Sequence, residues 1–196
     1  MKKLVLASNN SGKLREFGAL LQPLGWEVVP QAALNVPEAD EPYGTFVENA
    51  LTKARHAARI TGLPALADDS GICVRALGGA PGVHSARFAG EPKSDARNNA
   101  LLLEKLSGVT DRRAHYVAVL VWLRSADDPQ PIICEGEWHG EVLSAPRGSG
   151  GFGYDPLFWL PQLEQSAGEI DPALKNTVSH RALAFRELLG RVQREA

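Results

Sequence analysis

The chain has 196 residues, 44% of them hydrophobic and 22% charged, with a formal net charge of -2. These values suit one globular domain with a sizeable core and argue against disorder. A balance so near neutrality excludes the broad basic field that drives duplex or anionic-membrane binding, so a polyanionic ligand would need a local cluster of cations.

The opening Met-Lys-Lys-Leu-Val-Leu-Ala has too short an apolar run for a signal peptide, and Ser8-Asn9-Asn10 follows at once. Residues 3–7 read instead as a first β-strand. Lys13 to Leu24 reads as a helix, with Leu14, Phe17, Leu20, Leu21 and Leu24 at helical spacing, and Gly25 ends it. Trp26 to Pro30 is a second strand, and residues 31–43 are an acidic, proline-bearing loop. Thr45-Phe-Val-Glu48 is a capping box that starts a helix running to about Thr61, with Gly62 to close it.

A short strand, Ala65 to Ala67, is expected next, then a turn at Asp68-Asp69-Ser70-Gly71 and a further strand from Ile72 to Leu77. The glycine-dense segment Leu77 to Arg87 is a loop whose composition yields no function. Ser94 caps a helix to Leu106. Two β-type runs, His115 to Arg124 and Pro131 to Leu143, flank a long turn and read as an antiparallel hairpin. Asp171-Pro172 opens a late helical turn. Ser179 to Val192 is an amphipathic closing helix. The pattern is α/β with a mixed sheet: βαβ logic first, a hairpin afterwards. The longest apolar stretch, Tyr116 to Leu123, is far below a membrane span, which makes a cytoplasmic protein the expectation.

Several segments carry candidate chemistry. Ser8-Asn9-Asn10-Ser11-Gly12-Lys13 lies between a strand and a helix, where small polar residues, a helix N-terminus and a lysine favour an anion. It is not a P-loop, because the first glycine is missing and Leu14 follows the lysine. The competing reading is a polar turn with a surface lysine. Asp68 and Asp69 at a strand end can hold Mg²⁺ and activate a water, or can simply form a turn. Neighbours on an extended chain face opposite ways, so only one of the pair is expected to reach a site directly.

Lys53 shares a helix face with Phe46, Ala50 and Ala57, so it sits on an apolar stripe. Such a lysine either snorkels to water or points at an anion. Arg181 repeats the anomaly beside Phe185, Leu188 and Val192, with His180 next to it; it fits an anion or a structural carboxylate equally well. Gly148, Gly150 and Gly153 match GxGxxG by letter, yet Pro156 and a β-like run follow instead of a helix, which rules out a dinucleotide fold. The segment reads as a flexible loop presenting Phe152 and Tyr154, able to stack a base, against the plainer reading of a glycine turn with core aromatics. Cys73 and Cys134 lack metal or redox spacing and read as free thiols of a reducing compartment. The five histidines show no zinc pattern.

In order along the chain, Ser8 to Lys13, Phe46-Val-Glu-Asn-Ala50 with Lys53, Ala67-Asp-Asp-Ser-Gly71, Leu77-Gly-Gly-Ala-Pro-Gly82, Ser85-Ala-Arg87, Gly151-Phe-Gly-Tyr-Asp-Pro156, and Lys175 with Ser179-His180-Arg181 resemble the family of inosine/xanthosine triphosphate pyrophosphatases nearly end to end. The resemblance implies a single domain over residues 1–196: a two-lobed α/β fold around a long mixed β-sheet flanked by helices, with the active site in the cleft between lobes, usually as a homodimer. It implies hydrolysis of ITP, dITP or XTP to the monophosphate and pyrophosphate with Mg²⁺.

Carried over by motif, Ser8, Asn9, Asn10, Ser11, Gly12 and Lys13 would hold the triphosphate, assisted by Lys53. Asp69 would be general base and metal ligand, with Ser70 beside it. Phe152, Gly153, Tyr154, Asp155, Lys175, His180 and Arg181 would hold the base and sugar. The second metal carboxylate would come from the acidic loop, where Asp40 is the best positional match and Glu38 and Glu41 stay open. The alternatives are a pyrophosphatase for modified pyrimidine triphosphates and a non-catalytic nucleotide sensor on the same fold. The intact Asp68-Asp69 pair argues against the sensor. Net charge and the absence of a basic stripe argue against a nucleic-acid module.

Overall fold

A computed structural model describes residues 2–195; the side chains of Leu24, Arg194 and Glu195 fall outside the described set. Seven strands and five helices follow one another along the chain. They are β1 (Lys2–Leu6), α1 (Ser11–Leu21), β2 (Trp26–Pro30), α2 (Phe46–Thr61), β3 (Ala65–Val74), α3 (Asp95–Lys105), β4 (Arg113–Leu123), β5 (Ile132–Val142), β6 (Phe158–Leu160), β7 (Gln165–Ser166), α4 (Pro172–Val178) and α5 (His180–Glu195). The strands lie in the order β2-β1-β3-β4-β5-β6-β7. β1 runs parallel to β2 and β3, whereas β6 runs antiparallel to β5 and β7, so the sheet is mixed as expected. Among the described residues no helix is long and apolar enough to cross a membrane.

The chain forms two compact units. The first comprises Met1–Asp69, Ala118–Glu135 and Ala184–Ala196; the second comprises Ser70–Val117 and Gly136–Leu183. Each owns its core. In the first unit Leu4, Leu6, Phe17, Leu66, Leu120 and Phe185 pack on one side, and a second cluster sets Val5, Ala50, Ala54, Ala57, Val119 and Val121 together. The alanine face of α2 lets that helix lie close to the strands. In the second unit Ile72, Val74, Leu102, Tyr116, Trp138 and Phe158 form the centre.

Local signals placed most elements. Thr45 Oγ1 accepts from Glu48 N at 3.4 Å and its hydroxyl donates to Glu48 Oε2 at 2.5 Å, so Thr45 caps α2, with Glu48 taking the hydroxyl where a full capping box takes the backbone N–H. Gly62 ends α2 in the left-handed region at φ 67°. Ser94 caps α3, and Asp171 caps α4 by accepting from Ala173 N.

Two expectations are corrected. α1 begins at Ser11, two residues early, because Asn10 accepts from both Gly12 N and Lys13 N; it ends at Leu21 and passes into a 3₁₀ turn over Gln22–Leu24. The expected turn at Asp68 to Gly71 does not exist: β3 runs unbroken from Ala65 to Val74. Turn propensity lost there because each polar group found a distant partner. Gly71 also lets the segment around Gly82 and Ser85 pack directly on the strand.

Candidate active site

The middle of β3 carries two buried carboxylates. Asp68 and Asp69 are 1% and 6% exposed, too buried to stay ionised without partners. Extended neighbours point to opposite faces, and each finds a different cation. Asp68 Oδ1 pairs with Lys13 Nζ at 2.6 Å, and that ammonium also donates to the Asp68 carbonyl at 3.2 Å. Asp69 Oδ1 accepts from Lys53 Nζ at 2.7 Å. Lys53 donates a second bond to Glu41 Oε1 at 2.8 Å. Both members of the Asp68-Asp69 pair are therefore ion-paired, each with its own lysine.

Lys53 does not snorkel. Its position on the alanine face of α2 aims it at carboxylates. Burial opposes its charge, but Asp69 and Glu41 outweigh that and raise its pKa. Burial likewise pushes the Asp69 carboxyl above its ordinary range, against the pull of Lys53 and Lys13 and with some help from Glu41. Asp69 Oδ2 is buried with no hydrogen-bond partner among the described residues. Of the acidic-loop carboxylates, Glu41 is the one that meets Lys53. Asp40 is exposed, and Glu38 accepts from Asn9 Nδ2 at 3.1 Å.

In the Ser8 to Lys13 turn the backbone N–H groups at the head of α1 are already engaged. Gly12 N and Lys13 N are occupied by Asn10 Oδ1 at 2.9 and 3.1 Å, and Asn10 N donates to Ser8 Oγ at 3.2 Å. What the turn offers an anion is polar side chains at the head of a helix, with Lys13 beyond them.

The second unit assembles the other expected residues. Arg181, 2% exposed, donates to Ser70 Oγ at 3.1 Å and lies over the Phe152 ring at 5.9 Å. Lys175 Nζ sits 4.8 Å from the same ring and pairs with Asp155 Oδ2 at 2.6 Å. Asp155 Oδ2 also accepts from Phe152 N at 2.8 Å, so one carboxylate ties the aromatic residue to the lysine. Phe152 is half-buried with two cations against its face. Tyr154 corrects the reading of two presented aromatics. It is buried, and its hydroxyl donates to the Ser85 carbonyl at 2.8 Å, so its ring belongs to the core. His180 is buried too, stacked on Tyr116 at 4.7 Å and 9°.

Sequence reasoning placed Ser85 in a motif without giving it a role and passed over Asn98. Ser85 Oγ accepts from Ile72 N at 2.9 Å and donates to Gly82 O at 2.6 Å. Asn98 donates to the carbonyls of Ser85 and Ala86 and accepts from Ala89 N. The available signal was a pair of asparagines inside a predicted helix, where that residue type is a poor helix former. Cys73 and Cys134 are free thiols.

The Ham1 family model matches residues 4–191. A dITP/XTP pyrophosphatase of Aromatoleum aromaticum is 67% identical over 190 residues, covering 97% of this chain and 96% of the relative. One of Ralstonia nicotianae is 65% identical over 196 residues, covering 98% of each. Among solved structures, a HAM1 protein from Coxiella burnetii superposes with a TM-score of 0.91 at 48% identity, covering the whole of both chains. A nucleoside-triphosphatase/dITP/XTP pyrophosphatase from Mycobacterium abscessus gives 0.75 at 40%, covering 95% of this chain and 98% of that one. With likeness in sequence and fold extending from end to end, the chain belongs to the Ham1 family.

Proposed function

We propose that this chain hydrolyses deaminated purine nucleoside triphosphates, ITP, dITP and XTP, to the monophosphate and pyrophosphate, and so clears them from the nucleotide pool. The observation that carries the reading is 67% identity, across almost the full length of both chains, to a protein named for that reaction. The cluster of Lys13, Lys53 and Glu41 around the buried Asp68 and Asp69 supports it. Two cations against three carboxylates leave that cluster one negative charge, which alone would repel a triphosphate.

A divalent cation resolves this, and the residues fit one. Asp69 Oδ2 is buried without a hydrogen-bond partner among the described residues, and Glu41 meets Asp69 through a shared ammonium. The donors are hard carboxylate oxygens of the kind Mg²⁺ prefers. Among the described residues no group of three or more His, Cys, Asp or Glu side chains could hold a metal by itself. Mg²⁺ is commonly held by one or two carboxylates and completes its shell with water and phosphate oxygens. Asp69 and Glu41 are our ligands; Asp40 and Glu38 are too far committed to solvent or to Asn9. Bound there, Mg²⁺ would neutralise phosphate charge and acidify a water.

The residues divide the remaining work. Asp69 takes the proton of the attacking water. Lys13 and Lys53 meet the negative charge that builds on departing pyrophosphate, with Ser8, Asn9, Asn10, Ser11 and Gly12 lining the turn that receives it. In the second unit Phe152 stacks the purine, while Lys175, Arg181, Asp155 and Gly153 frame it. Tyr154 and His180 act from the core behind that face. The expected homodimer rests on the family resemblance and the expected cytoplasmic setting on the shortness of the apolar stretches; sedimentation equilibrium tests the first by mass.

The deciding assay follows ITP turnover with Mg²⁺ in wild type and Asp69→Asn. Pyrophosphate is the expected product. The variant is expected to lose about 10²–10⁴-fold in kcat with KM largely kept. Orthophosphate as first product would refute the reaction class, and near-wild-type turnover would refute the role of Asp69. Comparing ITP, XTP, dTTP and GTP separates purine from pyrimidine substrates.

A further inference from the structure

We propose that Asp95 and Asn99 are positioning residues that grip Gly153 from both sides, set the place of Phe152, and so tune which purine the site accepts. The two lie four residues apart on α3 and therefore share a face. Asp95 Oδ2 accepts from Gly153 N at 2.8 Å, and Asn99 Nδ2 donates to Gly153 O at 2.9 Å. One helix face thus satisfies both backbone groups of a single loop residue, separated from it by 54 and 58 positions in the chain.

The gripped residue is a point where the loop's backbone turns left-handed. Gly153 has φ 62°, in the left-handed region that glycine adopts freely. A Cβ there would meet nothing within 4 Å, so the requirement is backbone conformation and not space. Phe152 and Tyr154 flank it. Tyr154 is anchored through its hydroxyl to Ser85 O, and Phe152 N through Asp155 Oδ2. The clamp closes the interval between these two anchors. α3 is itself well held: Asn98 ties it to Ser85 and Ala86, and Ser94 caps it. Removing the clamp therefore frees the loop without unseating the helix. A purine carried on Phe152 would then lose register with Lys175 and Arg181, which lie over that ring.

The inference rests on Phe152 being the base-stacking residue, so the experiment keeps the two apart. Steady-state kinetics with Mg²⁺ are measured on ITP and GTP for wild type, Asp95→Ala, Asn99→Ala and Asp95→Asn. Each alanine variant is expected to raise KM for ITP about tenfold with kcat within about threefold, and to cut the ITP-over-GTP preference by a similar factor. Asp95→Asn keeps an oxygen acceptor and is expected to recover most of the loss. Asp95 is exposed at the first turn of α3, so its alanine variant should fold even where Asn99→Ala does not. Unchanged KM and preference overturn the clamp. So does an equal fall of kcat on both substrates with a lowered melting temperature and no rescue, the pattern of a merely structural role. A wild type that releases no pyrophosphate from ITP overturns the functional reading, and the clamp with it.

Discussion

At the scale of single residues, the molecule spends two lysines on holding buried carboxylates apart from one another's charge. Lys53 is the plainest case, bridging Glu41 and Asp69. Lys53→Met should destabilise the metal-free protein by about 2 kcal/mol, somewhat under the cost of breaking a fully buried pair. The discount reflects Glu41, whose side chain stays 26% exposed. The sign with pH follows from Asp69, whose carboxyl already sits above its ordinary range and would rise further without the lysine. The deficit is therefore full at neutral pH and shrinks as acid protonates the pair. Urea melts of both proteins across pH, with and without Mg²⁺, check this; a deficit that Mg²⁺ leaves untouched would count against a cation site there. Lys53 on an apolar stripe was visible in the sequence as an anomaly. Its two partners were not, because they lie 12 and 16 residues away, beyond the reach of helical periodicity.

At the scale of elements, β3 shows why local chemistry misled. Asp-Asp-Ser-Gly is turn composition, yet all four residues are extended. Lys13 and Lys53 satisfy the acids, and Gly71 admits the Gly82 carbonyl and the Ser85 hydroxyl against the strand. Gly71→Ala would drive a methyl into both and should cost about 3 kcal/mol in urea unfolding, since one neighbour is backbone and cannot swing away.

The loop between β4 and β5 is held by a single carboxylate. Asp128 accepts from Arg124 N, Nε and Nη2 and from Gln130 N, and these bonds hold its pKa well below the usual range. A depressed folded pKa means its stabilisation is complete above the ordinary carboxylate value and fades as pH falls below it. Asp128→Ala should cost about 2 kcal/mol at pH 7 and somewhat less near pH 3, the rest of the difference going only as pH falls through the depressed folded pKa. A loss that is equal at both values would show that packing, not charge, anchors the loop.

At the scale of the whole molecule, each compact unit carries one cysteine: Cys134 in the first, Cys73 in the second. Burial raises both thiols, Cys134 to about 11 with Glu187 adding to the shift and Arg191 opposing it, and Cys73 with help from Glu137. The thiolate is the reactive form, so labelling by a disulfide reagent at pH 8 should be slow for both in the folded protein and should quicken as pH rises. In rising urea the two should label together if the units unfold as one, and separately if they do not. Mass spectrometry of the labelled peptides distinguishes the outcomes.

What the sequence determined alone was everything that depends on neighbours within a few positions. The cap at Thr45, the left-handed close at Gly62, the caps at Ser94 and Asp171, the mixed sheet, and two cations on apolar helix faces all follow from spacing and residue type. Tertiary structure decided which charge meets which. It chose Glu41 over Asp40 and Glu38 beside Lys53, took Tyr154 into the core, drew the Asp68-Asp69 turn out into strand, and set Asp95 and Asn99 on Gly153. Those partners are brought together by packing across many residues of chain, and a buried polar group takes whichever partner packing supplies, because leaving it unpaired costs more than overriding a local preference.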